Sequence, residues 1–244
     1  MTTASRDRHA EYLISLWHRI AQQAEDAAPL HQGLWPHPEV TPEVTPEALA
    51  TALPLAATRW LASHADPSSR PLALRVMATF GNALQQGDLG HGAAQIELAI
   101  ATYNWVLSEL SSATSPIDWA TTLNNLATAY RHRPMGNPAD NLEQAIKLYQ
   151  QALAVPSPTT RPVSLTGLAA AYRDRIYGDP SDNLDRAIAT YEQALSAISP
   201  HALPAAWAMV NQHLAAAYGD RQRGDRQHNV EAAIQTYQQT YQRT

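Results

Sequence analysis

The sequence predicts an all-α protein in which helices follow one another in packed pairs. Three observations lead to this prediction. Alanine, the strongest helix former, accounts for 44 of the 244 residues. The 17 prolines are spread along the chain and fall mostly between segments of helical periodicity. A pattern of apolar, glycine and asparagine positions returns every 42 to 46 residues, which is typical of helical repeat proteins.

Residues 1–69 lie outside the repeat pattern and are predicted to form an N-terminal helical cap with a proline-rich loop. Residues 9–27 carry apolar side chains on one helical face, at Leu13, Leu16, Trp17 and Ile20. A proline-rich stretch follows over 29–46. A second helix is expected to start at Thr45-Pro46-Glu47 and to reach about His64, with Pro54 able to kink it. Terminal units of repeat proteins are usually atypical in this way.

Residues 70–244 are predicted to form four repeats of two helices each, at 70–115, 116–157, 158–203 and 204–244. In the best copy, the first helix has apolar residues at i, i+3, i+4 and i+7, and the second follows the same rule. Pro134, Gly136 and Pro138 separate the two helices. Asp140 or Asn141 is expected to cap the second helix.

This pattern resembles the tetratricopeptide repeat (TPR). Leu126-Ala127 stands at the family's Leu-Gly, Tyr130 at its Tyr, and Ala145 with Tyr149 at its A-x3-F. The resemblance covers about residues 70 to 244. It implies a right-handed α-solenoid whose first helices line a concave surface that binds a peptide or a protein.

One departure from the standard repeat is systematic. The step from Tyr130 to Ala145 is 15 residues, and the two later copies repeat it. The longer turn is similar to the repeats of cyanobacterial and related bacterial proteins that carry a C-terminal caspase-like (CHAT) domain. That family's protease uses His and Cys, and this chain has no cysteine, so no catalytic residue is carried over. The chain stops at Thr244 inside a predicted helix, which favours a fragment of a longer protein over pairing of an uncapped last repeat with a partner or a second copy.

Arginine pairs recur in the long turns, at Arg131/Arg133, Arg173/Arg175 and Arg221/Arg223. Two interpretations are open. The arginines could form a basic strip for an acidic peptide, a phosphate or RNA. They could instead brace the turn against carboxylates such as Asp179, Asp182, Asp220 or Asp225. Their repetition together with the turn favours bracing. The net charge of −5 and the pI near 6.0 weigh against nucleic acid as the partner.

A binding surface is predicted on the first helices from the TPR resemblance and from helix phase. Polar and small residues between the buried positions are expected to line a groove for an extended peptide or a partner helix, because Asn and Gln can pair with backbone amides. The predicted partner-binding residues are Arg75, Asn82, Asn124, Thr128, Arg131, Thr166, Arg173 and Gln212.

No motif in the sequence indicates catalysis, a metal or a cofactor, and none is expected. None of the ten histidines forms HExxH; His31 and His37 only flank a loop. Gly87–Gly92 is rich in glycine but lacks the lysine of a phosphate loop. Trp119 and Trp207 occupy matching repeat positions and are expected in the core. Trp35, among prolines, is a candidate partner contact.

The function predicted from these observations is a non-catalytic scaffold that binds a protein or peptide, which could be a C-terminal domain of the same polypeptide. The alternatives are a regulatory or sensor arm of a larger CHAT-type protease and a nucleic-acid-binding helical repeat. No apolar run approaches the roughly 20 residues of a membrane span. The charged N-terminus is unlike a signal peptide, and zero cysteines fit a reducing compartment, so a cytoplasmic location is expected.

Overall fold

The computed structural model describes residues 2–25, 45–86 and 92–242, and every regular element in these ranges is an α-helix. The prediction of an all-α protein is confirmed for this part of the chain. The ten helices in it are α1 (Thr3–Glu25), α2 (Pro46–Ser63), α3 (Arg70–Gln86), α4 (Gly92–Glu109), α5 (Pro116–Arg131), α6 (Pro138–Leu153), α7 (Arg161–Asp174), α8 (Pro180–Ser196), α9 (Pro204–Asp220) and α10 (Arg226–Gln242).

The chain divides into two compact units, residues 1–135 and 136–244. The division falls in the link between α5 and α6, inside the repeat predicted at 116–157. In the first unit, α2 packs on α1 and α4, and α5 packs on α4. In the second unit, each helix from α6 to α10 packs on the next one along the chain, and α7 also contacts α9.

The predicted N-terminal cap consists of α1 and α2. The Thr45 hydroxyl caps α2 by accepting from the Ala48 amide at 3.2 Å, as the Thr-Pro-Glu start predicts. Pro54 lies inside α2 without ending it. The cap joins the first repeat through an aromatic cluster, in which the Trp17 ring centroid lies 5.8 Å from that of Trp60 and 6.3 Å from that of Phe80. The proline-rich loop with Trp35, His31 and His37 lies outside the described residues, as does most of Gly87–Gly92.

In the last three predicted repeats, the long turn ends at a glycine with a left-handed backbone. Gly136, Gly178 and Gly224 have φ of 79°, 86° and 81°, a conformation that residues with a Cβ rarely adopt. The next residue caps the second helix: Asn137 accepts from the Ala139 amide, and Asp179 from the Ser181 and Asp182 amides. The expectation that Asp140 or Asn141 caps this helix was wrong, because the helix begins at Pro138, and both residues lie in its first turn.

A buried asparagine in the first turn of the second helix holds the long turn in place. The Asn183 Nδ2 donates to the Tyr177 carbonyl at 2.8 Å and to the Arg175 carbonyl at 3.4 Å. The Asn229 Nδ2 makes the equivalent bonds to the Arg223 and Arg221 carbonyls at 2.9 and 3.3 Å. These carbonyls lie where the first helix has ended, so the asparagine supplies the donors that the backbone no longer provides.

The tyrosines at the end of the first helices occupy equivalent but only half-buried places. Helix phase predicts that Tyr130, Tyr172 and Tyr218 are buried, and the structure leaves each of them partly exposed. The Tyr172 hydroxyl accepts from Gln150 at 3.2 Å, and the Tyr218 hydroxyl donates to Glu192 at 2.7 Å. Burial and the bond to Glu192 raise the pKa of Tyr218 to about 12. Leu168 and Trp207 are buried as expected, whereas Trp119 is half-buried.

Deeply buried tyrosines come instead from the second helices, and two of them, Tyr103 and Tyr149, lie against glycines of first helices. A Cβ at Gly81 would lie 2.6 Å from Cε1 of Tyr103, and a Cβ at Gly167 would overlap the Tyr149 ring. Tyr103 and Tyr149 are 0% and 2% exposed. Since buried rings have no room to shift, glycine is required at both contacts.

Gly167→Ala should lower the free energy of unfolding by about 1–3 kcal/mol, because the new methyl group displaces the buried Tyr149 ring. Gly219→Ala is the matched control. Gly219 lies near the end of α9, and a Cβ added there would meet no atom within 4 Å, so alanine should leave stability unchanged or raise it by up to about 1 kcal/mol. Urea unfolding of both variants measures the difference, and equal effects would contradict the packing described.

Asn183→Ala should cost about 1–3 kcal/mol, since it leaves two turn carbonyls without their donor. Asn104→Ala, at an exposed site on α4, should change stability by less than about 0.5 kcal/mol. Thermal unfolding followed by circular dichroism compares the two variants. A wild-type melting midpoint for Asn183→Ala would show that the turn does not depend on this side chain.

Candidate binding groove and turn arginines

A groove of about 190 Å³ lies between α3, α4 and α5 in the first unit. Its apolar lining comes from α3 and α4. Its polar lining faces inward from α3 on one side and from α5 on the other. The apolar residues are Leu74, Ala78, Val106 and Leu110, and the polar ones are Arg75, Thr79, Asn82, Asp118, Thr121, Thr122 and Asn125.

A chain of hydrogen bonds fixes the amide of Asn82 in this groove. The Tyr103 hydroxyl donates to Oδ1 of Asn82 at 2.7 Å. Gln85 Nε2 donates both to the Tyr103 hydroxyl and to the Asn125 carbonyl, each at 2.9 Å. Burial raises the pKa of Tyr103 well above its usual value, so its hydroxyl keeps the proton that it donates. With Oδ1 committed to Tyr103, the Nδ2 group of Asn82 is left to donate to a ligand.

The groove carries one charge of each sign. Arg75 is exposed and makes no ion pair with any residue of the described chain. Asp118 is half-buried in the first turn of α5. Together with the amides and hydroxyls, these groups can pair with backbone amides and with charged ends of a ligand. The groove lining therefore mixes apolar and polar side chains and carries no net charge.

The eight residues predicted to bind a partner do not form one set in the structure. Arg75 and Asn82 line the groove. Asn124 is 3% exposed, and its Oδ1 has no hydrogen-bond partner in the described chain. The hydroxyls of Thr128 and Thr166 donate to backbone carbonyls of their own helices, at Asn124 and Pro162. Arg131 and Arg173 are half-buried, and Gln212 is exposed in the second unit.

The groove residues of α5 lie on a different stripe from the one predicted. Asp118, Thr121, Thr122 and Asn125 are spaced i, i+3, i+4 and i+7, so they share one helix face. Asn124 lies next to this stripe and turns into the interior. The sequence prediction placed the binding surface at equivalent positions of the first helices in successive repeats. A groove between two helices is instead lined by opposite flanks of those helices, and the signal that could have found Asn125 is this i+3/i+4 spacing of polar residues.

Three turn arginines form ion pairs that join a first helix to the second helix of the preceding pair. Arg133 donates to both carboxylate oxygens of Glu97 at 2.6 and 2.7 Å. Arg175 donates to Glu143 at 2.6 and 3.1 Å. Arg221 Nε donates to Asp185 at 2.9 Å. The hydrogen bonds to Glu97 and Glu143 raise the pKa of Arg133 and of Arg175. The arginines therefore brace the turns, but the partners of these three are not among the four carboxylates named from the sequence.

The remaining turn arginines behave differently. Arg223 lies 3.2 Å from Asp179, also contacts Asp182, and lies 3.5 Å from Asp185, so two of the carboxylates named from the sequence are its partners. Arg173 lies 3.6 Å from its neighbour Asp174. Because most of these guanidiniums are paired with carboxylates, little of their charge is left for phosphate, which weakens the nucleic-acid alternative.

No family model matches the chain, and no curated protein is significantly similar to it. Over the ranges that the structure describes, no helix is long and apolar enough to cross a membrane. In the same ranges, no group of three or more His, Asp or Glu side chains is placed to hold a metal ion.

Arg175→Gln should lower the free energy of unfolding by about 1 kcal/mol, because it removes a paired, half-buried guanidinium from Glu143. Arg173→Gln is the control on the same turn, and its effect should stay below about 0.5 kcal/mol. The difference should shrink in 1 M salt, where the Debye length is about 3 Å. Equal effects of the two substitutions in urea unfolding would refute the bracing role of Arg175.

Proposed function

We propose that this protein is a non-catalytic scaffold that binds an extended peptide segment of a partner protein in the groove between α3 and α5. The observation that carries the proposal is the orientation of Asn82. Its Oδ1 is held by Tyr103, so its Nδ2 donor is presented at a groove that is lined by apolar residues as well as polar ones. A fixed amide beside an apolar surface is the combination that holds a peptide backbone and one side chain together.

The chemistry of the lining defines the ligand. The Asn82 amide and the Thr121 hydroxyl can pair with backbone carbonyls and amides of the segment. Leu74, Val106 and Leu110 accept a small apolar side chain. Arg75 favours a carboxylate of the segment beside its guanidinium. Asp118 disfavours a second carboxylate of the segment next to it, because like charges repel. The segment that fits best is therefore neutral overall, with an acidic group near Arg75.

The arrangement of the repeats belongs to the same proposal. We take the helix pairs to be TPR-like units of a right-handed solenoid in the cytoplasm. This assignment of the repeats is supported by three features that recur at equivalent positions: the left-handed glycine, the capping residue and the arginine–carboxylate pair. The absence of cysteine from the sequence supports the location.

The test uses a library of random short peptides selected on the full chain and then measured by fluorescence anisotropy. Asn82→Asp keeps an acceptor for Tyr103 and replaces the Nδ2 donor with a negatively charged carboxylate oxygen. Combined with Arg75→Ala, it should weaken the selected peptides by about tenfold or more, since two polar contacts are lost. The double variant should keep the wild-type melting temperature within a few degrees.

The matched control combines Asn104→Asp with Arg161→Ala, which makes the same two changes at an exposed amide and an exposed arginine outside the groove. It should bind the peptides as the wild type does. If the selected peptides bind the groove variant and the control equally well, or if no peptide is enriched, the groove is not the binding site.

A further inference from the structure

The second helices of the repeats share a set of residues on the face that meets the next first helix. Two apolar residues four apart flank an acidic residue in each helix. The apolar pairs are Ile96/Ile100, Leu142/Ile146, Leu184/Ile188 and Val230/Ile234, and the acidic residues are Glu97, Glu143, Asp185 and Glu231. The four sets belong to α4, α6, α8 and α10.

In α4, α6 and α8 this face is covered. Ile100, Ile146 and Ile188 are each 6% exposed. Ile188 belongs to one apolar cluster with Trp207, Val210 and Leu214 of α9. The acidic residue of each helix pairs with the arginine that ends the next first helix. A third contact recurs beside them, where Gln150 and Glu192 bond the hydroxyls of Tyr172 and Tyr218.

In α10 the same face is open. Val230 and Ile234 are 42% and 49% exposed. Glu231 is exposed, and within the described ranges its partner is the Gln227 amide at 2.9 Å, with no arginine. Gln238 stands at the position of Gln150 and Glu192 and is also exposed. The elements of the covered interfaces thus recur on α10, and among the described residues no helix lies over them.

We propose that this face of α10, formed by Val230, Glu231 and Ile234, binds an amphipathic helix of a partner protein. That helix carries the same pattern of leucine, tyrosine and arginine as α5, α7 and α9. In those helices a leucine is followed four residues later by tyrosine, and an arginine lies seven residues after the leucine, just beyond the helix end, as in Leu168, Tyr172 and Arg175. The leucine lies on Ile234 and Val230, the tyrosine bonds Gln238, and the arginine pairs with Glu231. This surface is separate from the groove between α3 and α5.

Two observations favour such a partner over other occupants. The acidic Glu231 between the two apolar residues disfavours a lipid surface, because burial of an unpaired carboxylate is costly. A second copy of the chain offers the required pattern only in α5, α7 and α9, whose arginines already pair with Glu97, Glu143 and Asp185. A helix that brings a free arginine complements the face in both charge and apolar area.

The test adds a fluorescent peptide with the sequence of residues 158–177 to the full chain and follows binding by anisotropy. The peptide should bind, and Arg175→Gln in the peptide should weaken it about tenfold. Glu231→Gln in the protein should weaken it equally, and the two changes together should cost no more than either alone. Glu231→Arg with the peptide change Arg175→Glu should restore binding.

Ile234→Asp should abolish binding without lowering the melting temperature, since Ile234 is exposed. Glu47→Gln, at an exposed site on α2, is the matched control and should have no effect. The groove variant of Asn82 and Arg75 should also bind this peptide normally, so failure here and failure of the groove proposal are distinct results.

Two results would overturn the proposal. One is a peptide that does not bind, or that binds regardless of Glu231 and Ile234. The other is a dimer of the chain alone, seen by sedimentation, that Ile234→Asp dissociates. That dimer would show that a second copy, not a partner helix, covers α10.

Discussion

The contact between a second helix and the first helix that follows it is the interaction on which the repeats depend. The apolar side chains supply most of the free energy of this contact, since burial of one isoleucine is worth about 1.5–3 kcal/mol. Its ion pair, half-exposed, contributes about 1 kcal/mol at most. The pair between Arg175 and Glu143 instead fixes position, because a two-oxygen contact with a guanidinium forms in one orientation only. The same division of roles holds for Arg133 with Glu97.

The long turn makes this contact possible. It carries the arginine beyond the end of the first helix and lets it reach the preceding second helix. Such a turn needs its own hydrogen bonds, because its carbonyls lie outside any helix. Asn183 supplies them from the next helix, while Gly178 provides the left-handed step and Asp179 the cap. The sequence features that distinguish this repeat from the standard one thus act together as one structural device.

The two candidate binding surfaces differ in kind. The groove at Asn82 combines apolar and polar side chains, and the Asn82 amide is held by hydrogen bonds within the first unit. Such a site suits a backbone that brings its own amides. The face at Ile234 is open and apolar with one carboxylate, so it suits a preformed helix that brings a leucine and an arginine.

The sequence alone was sufficient for the helices, their order and the role of the turns. Periodicity locates the buried face of a helix, proline and glycine locate its ends, and repetition of Arg175 with the turn indicated bracing. The sequence did not determine which side chains contact one another across different helices. Asn124 is buried while Asn125 lines the groove, and Arg175 pairs with Glu143 of another helix rather than with a carboxylate of its own turn. Periodicity gives the direction of a side chain from its own helix axis, whereas packing between distant segments decides which helix lies opposite.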